Sequence, residues 1–226
     1  MQLTYFGHSC FLLETGGSRV LFDPFIRPNP LAKAVNVEAI AADYILLSHG
    51  HADHVADVEE IGKRTGAALV GMFEVLSWFE AKGLNADLKM NIGGAVQLPF
   101  GSVKMVPALH SSSMPDGSYG GLAAGFILES EGKTLYFAGD TALSYEMKLL
   151  AEQHAIDVAL LPIGDHFTMG VADALTAAAW VQAPKVVGMH YDTFPPIAIN
   201  HADAQQQAQR AGRQLVLMQV GETITL

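Results

Sequence analysis

The sequence predicts a layered α/β fold, on three observations. The first part of the chain reads as short apolar strands joined by glycine turns. The later part alternates helix and strand with regular spacing, and residues able to bind metal recur at the ends of apolar strands in both parts. Ligands placed at strand ends meet at one edge of the sheets.

Taken in order, strands are predicted at 3–6, 10–14 and 19–22, with Gly16-Gly17 as the hairpin signal between the last two. Pro28 and Pro30 make 25–30 a loop, since neither strand nor helix tolerates that spacing of prolines. A strand at 44–48 precedes a helix at 55–65, whose apolar positions are Val55, Val58 and Ile61. Residues 67–71 form a strand and 73–82 an amphipathic helix, followed by strands at 96–98, 103–109, 123–129 and 134–138. Helix 145–153 leads to strand 157–162, helix 172–181 to strand 185–189, and helix 202–211 to strand 214–219. No linker, short-period repeat or low-complexity segment interrupts the series, so residues 1–226 are read as one domain.

Composition narrows the function. With 50% hydrophobic and 16% charged residues the chain can bury a large core. It has no run of ~20 apolar residues that would span a membrane, and Met1 to Phe6 lacks the basic start and apolar run of a secretory signal. A soluble, cytoplasmic protein is therefore expected. The lone Cys10 excludes an internal disulfide and, beside Phe11, Leu12 and Leu13, reads as a small buried hydrophobe. A formal charge of −10, from 23 acidic and 13 basic residues, argues against long nucleic acid, whose phosphates need clustered lysine and arginine. A small-molecule substrate is favoured, and a homo-oligomer is the base-rate expectation for a soluble enzyme.

The run Ser48-His49-Gly50-His51-Ala52-Asp53-His54 places four potential ligands within six residues. Neutral imidazoles and a carboxylate suit borderline metals such as zinc, and alternation along an extended turn points His49 and His51 to one side. Asp53 and His54 are then free to serve a second metal. Further candidates stand at the ends of apolar strands: His110 after 103–109, Asp140 after 134–138 and His190 after 185–189.

In these residues the chain resembles the metallo-β-lactamase superfamily, whose pattern is His-x-His-x-Asp-His followed by a distant histidine, an aspartate and a final histidine. All seven positions are filled. The resemblance implies an αββα four-layer sandwich with a dinuclear site between the sheets. It also implies that His49, His51 and His110 bind one metal, Asp53, His54 and His190 the other, and that Asp140 bridges them. Gly7-His8-Ser9, Ala138-Gly139-Asp140-Thr141, the segment from Pro162 to Gly170 and His190-Tyr191-Asp192-Thr193 look like a narrower branch, the small metal-dependent hydrolases similar to ascorbate-phosphate lactonase.

The chemistry expected is hydrolysis of a small lactone or phosphoester by a hydroxide shared between two divalent metals ~3.5–4 Å apart. Zinc leads for the histidine-rich set, with manganese or iron able to occupy it. Asp53 is expected to orient the nucleophile. His8 and His166, in glycine-flanked turns read as exposed, are the candidate proton donors to the leaving group. His154 reads as a helix C-terminal partner and His201 as part of a solvated turn. A nuclease or phosphodiesterase of the same superfamily is the alternative, disfavoured by the absence of a basic arm. A di-iron redox protein is the alternative of another class; such members generally have glutamate at the position of His51 and an attached flavin module, and neither is present here.

Overall fold

The structure is a computed structural model that describes residues 1–226. Two seven-stranded sheets face one another. The first sheet is built from β1 (Gln2–Gly7), β2 (Cys10–Thr15), β3 (Ser18–Phe22), β4 (Tyr44–Leu47), β5 (Ala68–Met72) and β6 (Leu88–Met90). The second runs through β7 (Ala95–Leu98), β8 (Gly101–Pro107), β9 (Ala124–Ser130), β10 (Lys133–Phe137), β11 (Val158–Pro162), β12 (Lys185–Met189) and β13 (Gln214–Val216). The C-terminal β14 (Thr223–Thr225) crosses back to pair with β1 and closes the outer edge of the first sheet.

Both sheets follow one plan. Four antiparallel strands, β14-β1-β2-β3 or β7-β8-β9-β10, are followed by three parallel ones, β4-β5-β6 or β11-β12-β13. Phe22 and Phe137, the last residues of β3 and β10, stack across the interface with ring centroids 4.8 Å apart. Burial of such rings and of strands such as β11, apolar and buried throughout, supplies the main cohesion of the sandwich.

The helices form the outer layers. On the first sheet, α1 (Ala52–Val55) and α2 (Val58–Thr65) follow β4, and α3 (Phe73–Glu80) packs on β5 and β6. On the second, α4 (Glu146–Gln153), α5 (Val171–Trp180) and α6 (His201–Arg210) lie side by side, with α5 on β11 and α6 on β13. This is the αββα sandwich expected from the resemblance.

Three departures from the sequence reading have local causes. The single helix at 55–65 is two, because Asp57 leaves helical geometry (φ −105°, ψ 5°) and turns its carboxylate to the backbone N–H groups of Ile26 and Arg27. The strand predicted to Leu109 ends at Pro107, after which Leu109 N–H donates to the Thr141 hydroxyl at 2.9 Å. The last strand of the second sheet stops at Val216, while β6 and β14, too short to show a period, exist through pairing with β5 and β1.

Candidate metal centre

The site forms where loops leave the ends of β1, β3, β4, β8, β10 and β12. The His49-Gly50-His51 turn follows β4 after Ser48 and projects both rings to one side, with His49 Nε2 and His51 Nδ1 3.0 Å apart. Gly50 is required by close approach: a Cβ there would lie 2.5 Å from Met114 Sδ and 2.9 Å from the Ser113 carbonyl. His51 precedes the first turn of α1, which carries Asp53 and His54. Gly139, at φ +61°, lets β10 turn Asp140 into the cleft; a Cβ there would meet the Ala124 carbonyl and the Ser48 Cβ. Three non-glycine residues at the site, His8 (φ 57°), Asp23 (φ 38°) and His190 (φ 55°), hold left-handed backbone conformations. The surrounding packing imposes that strain.

All seven expected ligands converge. His49, His51 and His110 form one group, and Asp53, His54 and His190 a second, which also includes His8. Asp140 stands between them: its Oδ2 lies 2.9 Å from His190 Nε2, 3.3 Å from His54 Nε2 and 3.7 Å from His110 Nε2. His49, His54, Asp140 and His190 are enclosed, while His51, Asp53 and His110 face the opening.

Asp23, which the sequence reading does not single out, organises the base of the site. Fully buried, it accepts from Ser48 N–H (2.8 Å), from the Ser48 hydroxyl (2.5 Å) and from His54 Nδ1–H (2.8 Å). Because Ser48 donates its own proton to Asp23, its oxygen accepts from His49 Nδ1–H at 2.9 Å. Both histidines are thereby engaged through Nδ1, which turns Nε2 toward the cleft. The available signal is its place one residue after an apolar strand, a cue of the same kind as the one that marks Asp140.

His8 lies in the site but is enclosed, correcting its reading as an exposed turn residue: its exposure is 0%. Burial lowers its pKa to about 4, so the ring is neutral despite Asp53. A neutral ring that donates Nε2–H to Asp53 Oδ2 (3.1 Å) must accept at Nδ1, from the Thr193 hydroxyl at 2.9 Å. Its carbonyl accepts His190 N–H at 2.9 Å. His166 is not brought into the cluster. It sits exposed in the turn after Asp165 with its ring edge-on to Phe167, and only its backbone N–H bonds, to Asp165. That turn is nevertheless tied to the site, since Met169 N–H donates to the Thr141 carbonyl. His154 binds Glu129 and His201 binds Asp192, and neither joins the ligand groups.

The donors fit a cation. Burial pushes His49, His51 and His110 below the ordinary imidazole range, which keeps their lone pairs free. Burial alone would lower His54 and His190 too, but Asp140 overrides it, holding His54 well above its usual value and His190 at about 9. A field that raises a histidine in this way equally favours a divalent ion in place of the proton. His54 Nε2 and Asp140 Oδ1 are buried atoms without a hydrogen-bond partner, and an ion taking the place of the His54 proton would satisfy both.

A two-sheet sandwich that gathers five histidines and two aspartates from both halves defines a metal-binding hydrolase framework. The beta-lactamase superfamily domain matches residues 2–190, and the chain belongs to the metallo-β-lactamase superfamily. Among its relatives are proteins named UPF0173 metal-dependent hydrolase from Methylacidiphilum infernorum (49% identical) and Flavobacterium johnsoniae (46%), each covered over 100% of both chains. A solved structure of Igni18, a metallo hydrolase from Ignicoccus hospitalis, superposes with a TM-score of 0.89 at 38% identity, covering 99% of this chain and 97% of that one. This chain is accordingly a metal-dependent hydrolase. No helix is long and apolar enough to cross a membrane.

Proposed function

We propose that the enzyme uses a dinuclear centre to hydrolyse a small-molecule ester, lactone or phosphoester. His49, His51 and His110 would hold one divalent cation, Asp53, His54 and His190 a second, and Asp140 would serve both. The observation that carries this reading is the position of Asp140 Oδ2, within 3.7 Å of histidines from each group. When bound, the ions activate water near neutral pH and polarise the electrophilic oxygen of the substrate.

The chain's own residues prepare that chemistry. Asp23 and Ser48 set the tautomers of His49 and His54. His8 holds Asp53 through one carboxylate oxygen and leaves the other to accept from the attacking water. His166, outside the ligand cluster but exposed and with no hydrogen bond from its ring, would protonate the leaving group. Zinc is the favoured ion for this donor set, with manganese and iron as alternatives.

The test is elemental analysis and turnover after reconstitution with zinc, manganese or iron. Two ions per chain and activity abolished by Asp140→Ala are expected. One ion per chain at saturation, with full activity, would refute the dinuclear reading.

A further inference from the structure

The two ligand groups are held in place unequally. In the second, His54 is fixed by Asp23, Asp53 by His8, and the His190 backbone by the His8 carbonyl. In the first, His49 is tied to Ser48, but His51 and His110 are only half-buried, and they stand after Gly50 and beyond the end of β8. Their support comes from the segment that follows His110. Ser112 Oγ accepts from Gly50 N–H at 3.2 Å and donates to the Gly120 carbonyl at 2.9 Å. Glycine has the freest backbone of any residue, so a hydrogen bond from outside restrains the peptide that separates His49 from His51. Ser111 Oγ stands 3.5 Å from His51 Nε2, while His51 Nδ1 is the nitrogen turned to His49. At the other end of the segment, Ala124 N–H donates to the Ser48 carbonyl at 3.0 Å. The stretch from His110 to Ala124 therefore supplies one ligand and grips the turn that carries the other two on both sides of His49.

This segment is itself fastened. A bridge between Ser113 and Tyr119 makes it a hairpin, and Met114 N–H donates to the Ser118 carbonyl at 2.8 Å. At the tip, one Asp116 carboxylate oxygen accepts from Ser118 N–H (2.9 Å) and the Ser118 hydroxyl (2.6 Å), and the other accepts from Trp78 Nε1–H at 2.8 Å. Trp78 belongs to α3, with its ring edge-on to the buried Phe79 and the Lys82 ammonium 3.9 Å from its centroid. Gly121 packs against Met72 and Glu74 around the start of the same helix. The helix holds the hairpin at tip and base, and through Ser112 that hold reaches Gly50.

We propose that Ser112 is a positioning residue for the first cation: through Gly50 it sets the spacing of the His49 and His51 donors, and the Trp78–Asp116 hydrogen bond is the latch that keeps its hairpin in place. This rests on the dinuclear reading above. Ser112 touches no ligand side chain, so its effect falls on the affinity of one ion and leaves the number of ligands unchanged. The second group, braced by Asp23 and His8, is independent of it.

The experiment measures zinc affinity by chelator competition in the otherwise native enzyme and in two backgrounds that each keep one complete group of histidines, His190→Ala for the first and His51→Ala for the second. Ser112→Ala should weaken zinc about tenfold in the His190→Ala background and about twofold at most in His51→Ala. Trp78→Phe keeps an aromatic ring on Phe79 and removes the N–H donor. It should weaken the first-group ion about threefold, and should add nothing once Ser112 is alanine, since the latch acts through that hydroxyl. A merely structural role would loosen both groups alike. Equal weakening of the two groups, no weakening of the first, or full additivity of Trp78→Phe with Ser112→Ala would overturn the proposal. If either background fails to fold, the two zinc affinities of the otherwise native enzyme decide, and Ser112→Ala must lower one and spare the other. A wild type that binds a single zinc ion would refute the dinuclear reading; Ser112→Ala must still weaken that ion, and an unweakened ion would overturn the positioning role as well.

Discussion

Replacing Asp23 with asparagine tests whether the buried carboxylate tunes the metal centre or merely fills space. The Asp23→Asn side chain would keep one acceptor for Ser48 N–H but present its amide N–H₂ toward the Ser48 hydroxyl and His54 Nδ1, the two donors now held at 2.5 and 2.8 Å. A hydrogen bond to a charged group contributes about 1.5–3 kcal/mol. Orienting partners of this kind change metal affinity by roughly 10–100-fold, or about 1.4–2.8 kcal/mol. Folding should respond less. Burial raises the Asp23 pKa despite His54 and Ser48, so the native state already bears a cost for that charge, and a neutral isostere removes it. Asparagine also tolerates the left-handed backbone at this position. Chelator competition on wild type and Asp23→Asn should show a 10–100-fold loss in zinc affinity, with metal-free stability within ~1 kcal/mol by denaturant unfolding. Unchanged affinity would refute the assignment of His54 and His49 tautomers to Asp23. Loss of affinity only in step with unfolding would show the carboxylate to be structural.

His8→Gln can still donate to Asp53 and should keep more of the catalytic rate than His8→Asn, whose amide reaches only toward Thr193. Equal loss in both, with the alkaline limb of the pH profile removed, would instead make His8 a proton carrier. His166→Ala should lower kcat by about 10²-fold for substrates with poor leaving groups and little for 4-nitrophenyl esters; equal rates on both substrate types would remove it from the mechanism. For Asp57, burial raises the folded pKa above the unfolded value, so its ionised form is disfavoured in the native state. That penalty is full above the folded pKa and disappears as pH falls to the unfolded pKa. Asp57→Asn should therefore gain stability relative to wild type at neutral pH, with the advantage shrinking on acidification. A gap independent of pH in parallel denaturation curves would contradict this.

The candidate site is legible in the sequence to different degrees, and the differences follow chain distance. His49, His51, Asp53 and His54 lie within six residues on a turn and the first turn of α1, so local geometry alone brings them together. His110, Asp140 and His190 carry weaker local signals, a polar residue closing an apolar strand, and need the full ordered pattern to be recognised. Asp23 carries that same signal yet stays unmarked, because it completes no ligand pattern and acts through Ser48 and His54. His8 reads as exposed since glycine and serine flank it; its enclosure comes from Thr193, Phe194 and His190, far along the chain. His166 carries the mirror-image lesson, with the same local cues leading to a side chain that stays outside the cluster.

Apolar periodicity and residue chemistry, both readable within a few neighbours, define most of the strands and helices, the alternation of the layers, and the gathering of histidines and aspartates at strand ends. Long-range packing sets the rest. It breaks helix 55–65 at Asp57 to anchor the Ile26 loop and closes the first sheet with the C-terminal β14. It also sets Asp140 between the two ligand groups and seals His8 beneath them. Each of these depends on partners far apart in the chain, and no local pattern encodes which distant backbone or carboxylate a residue will meet.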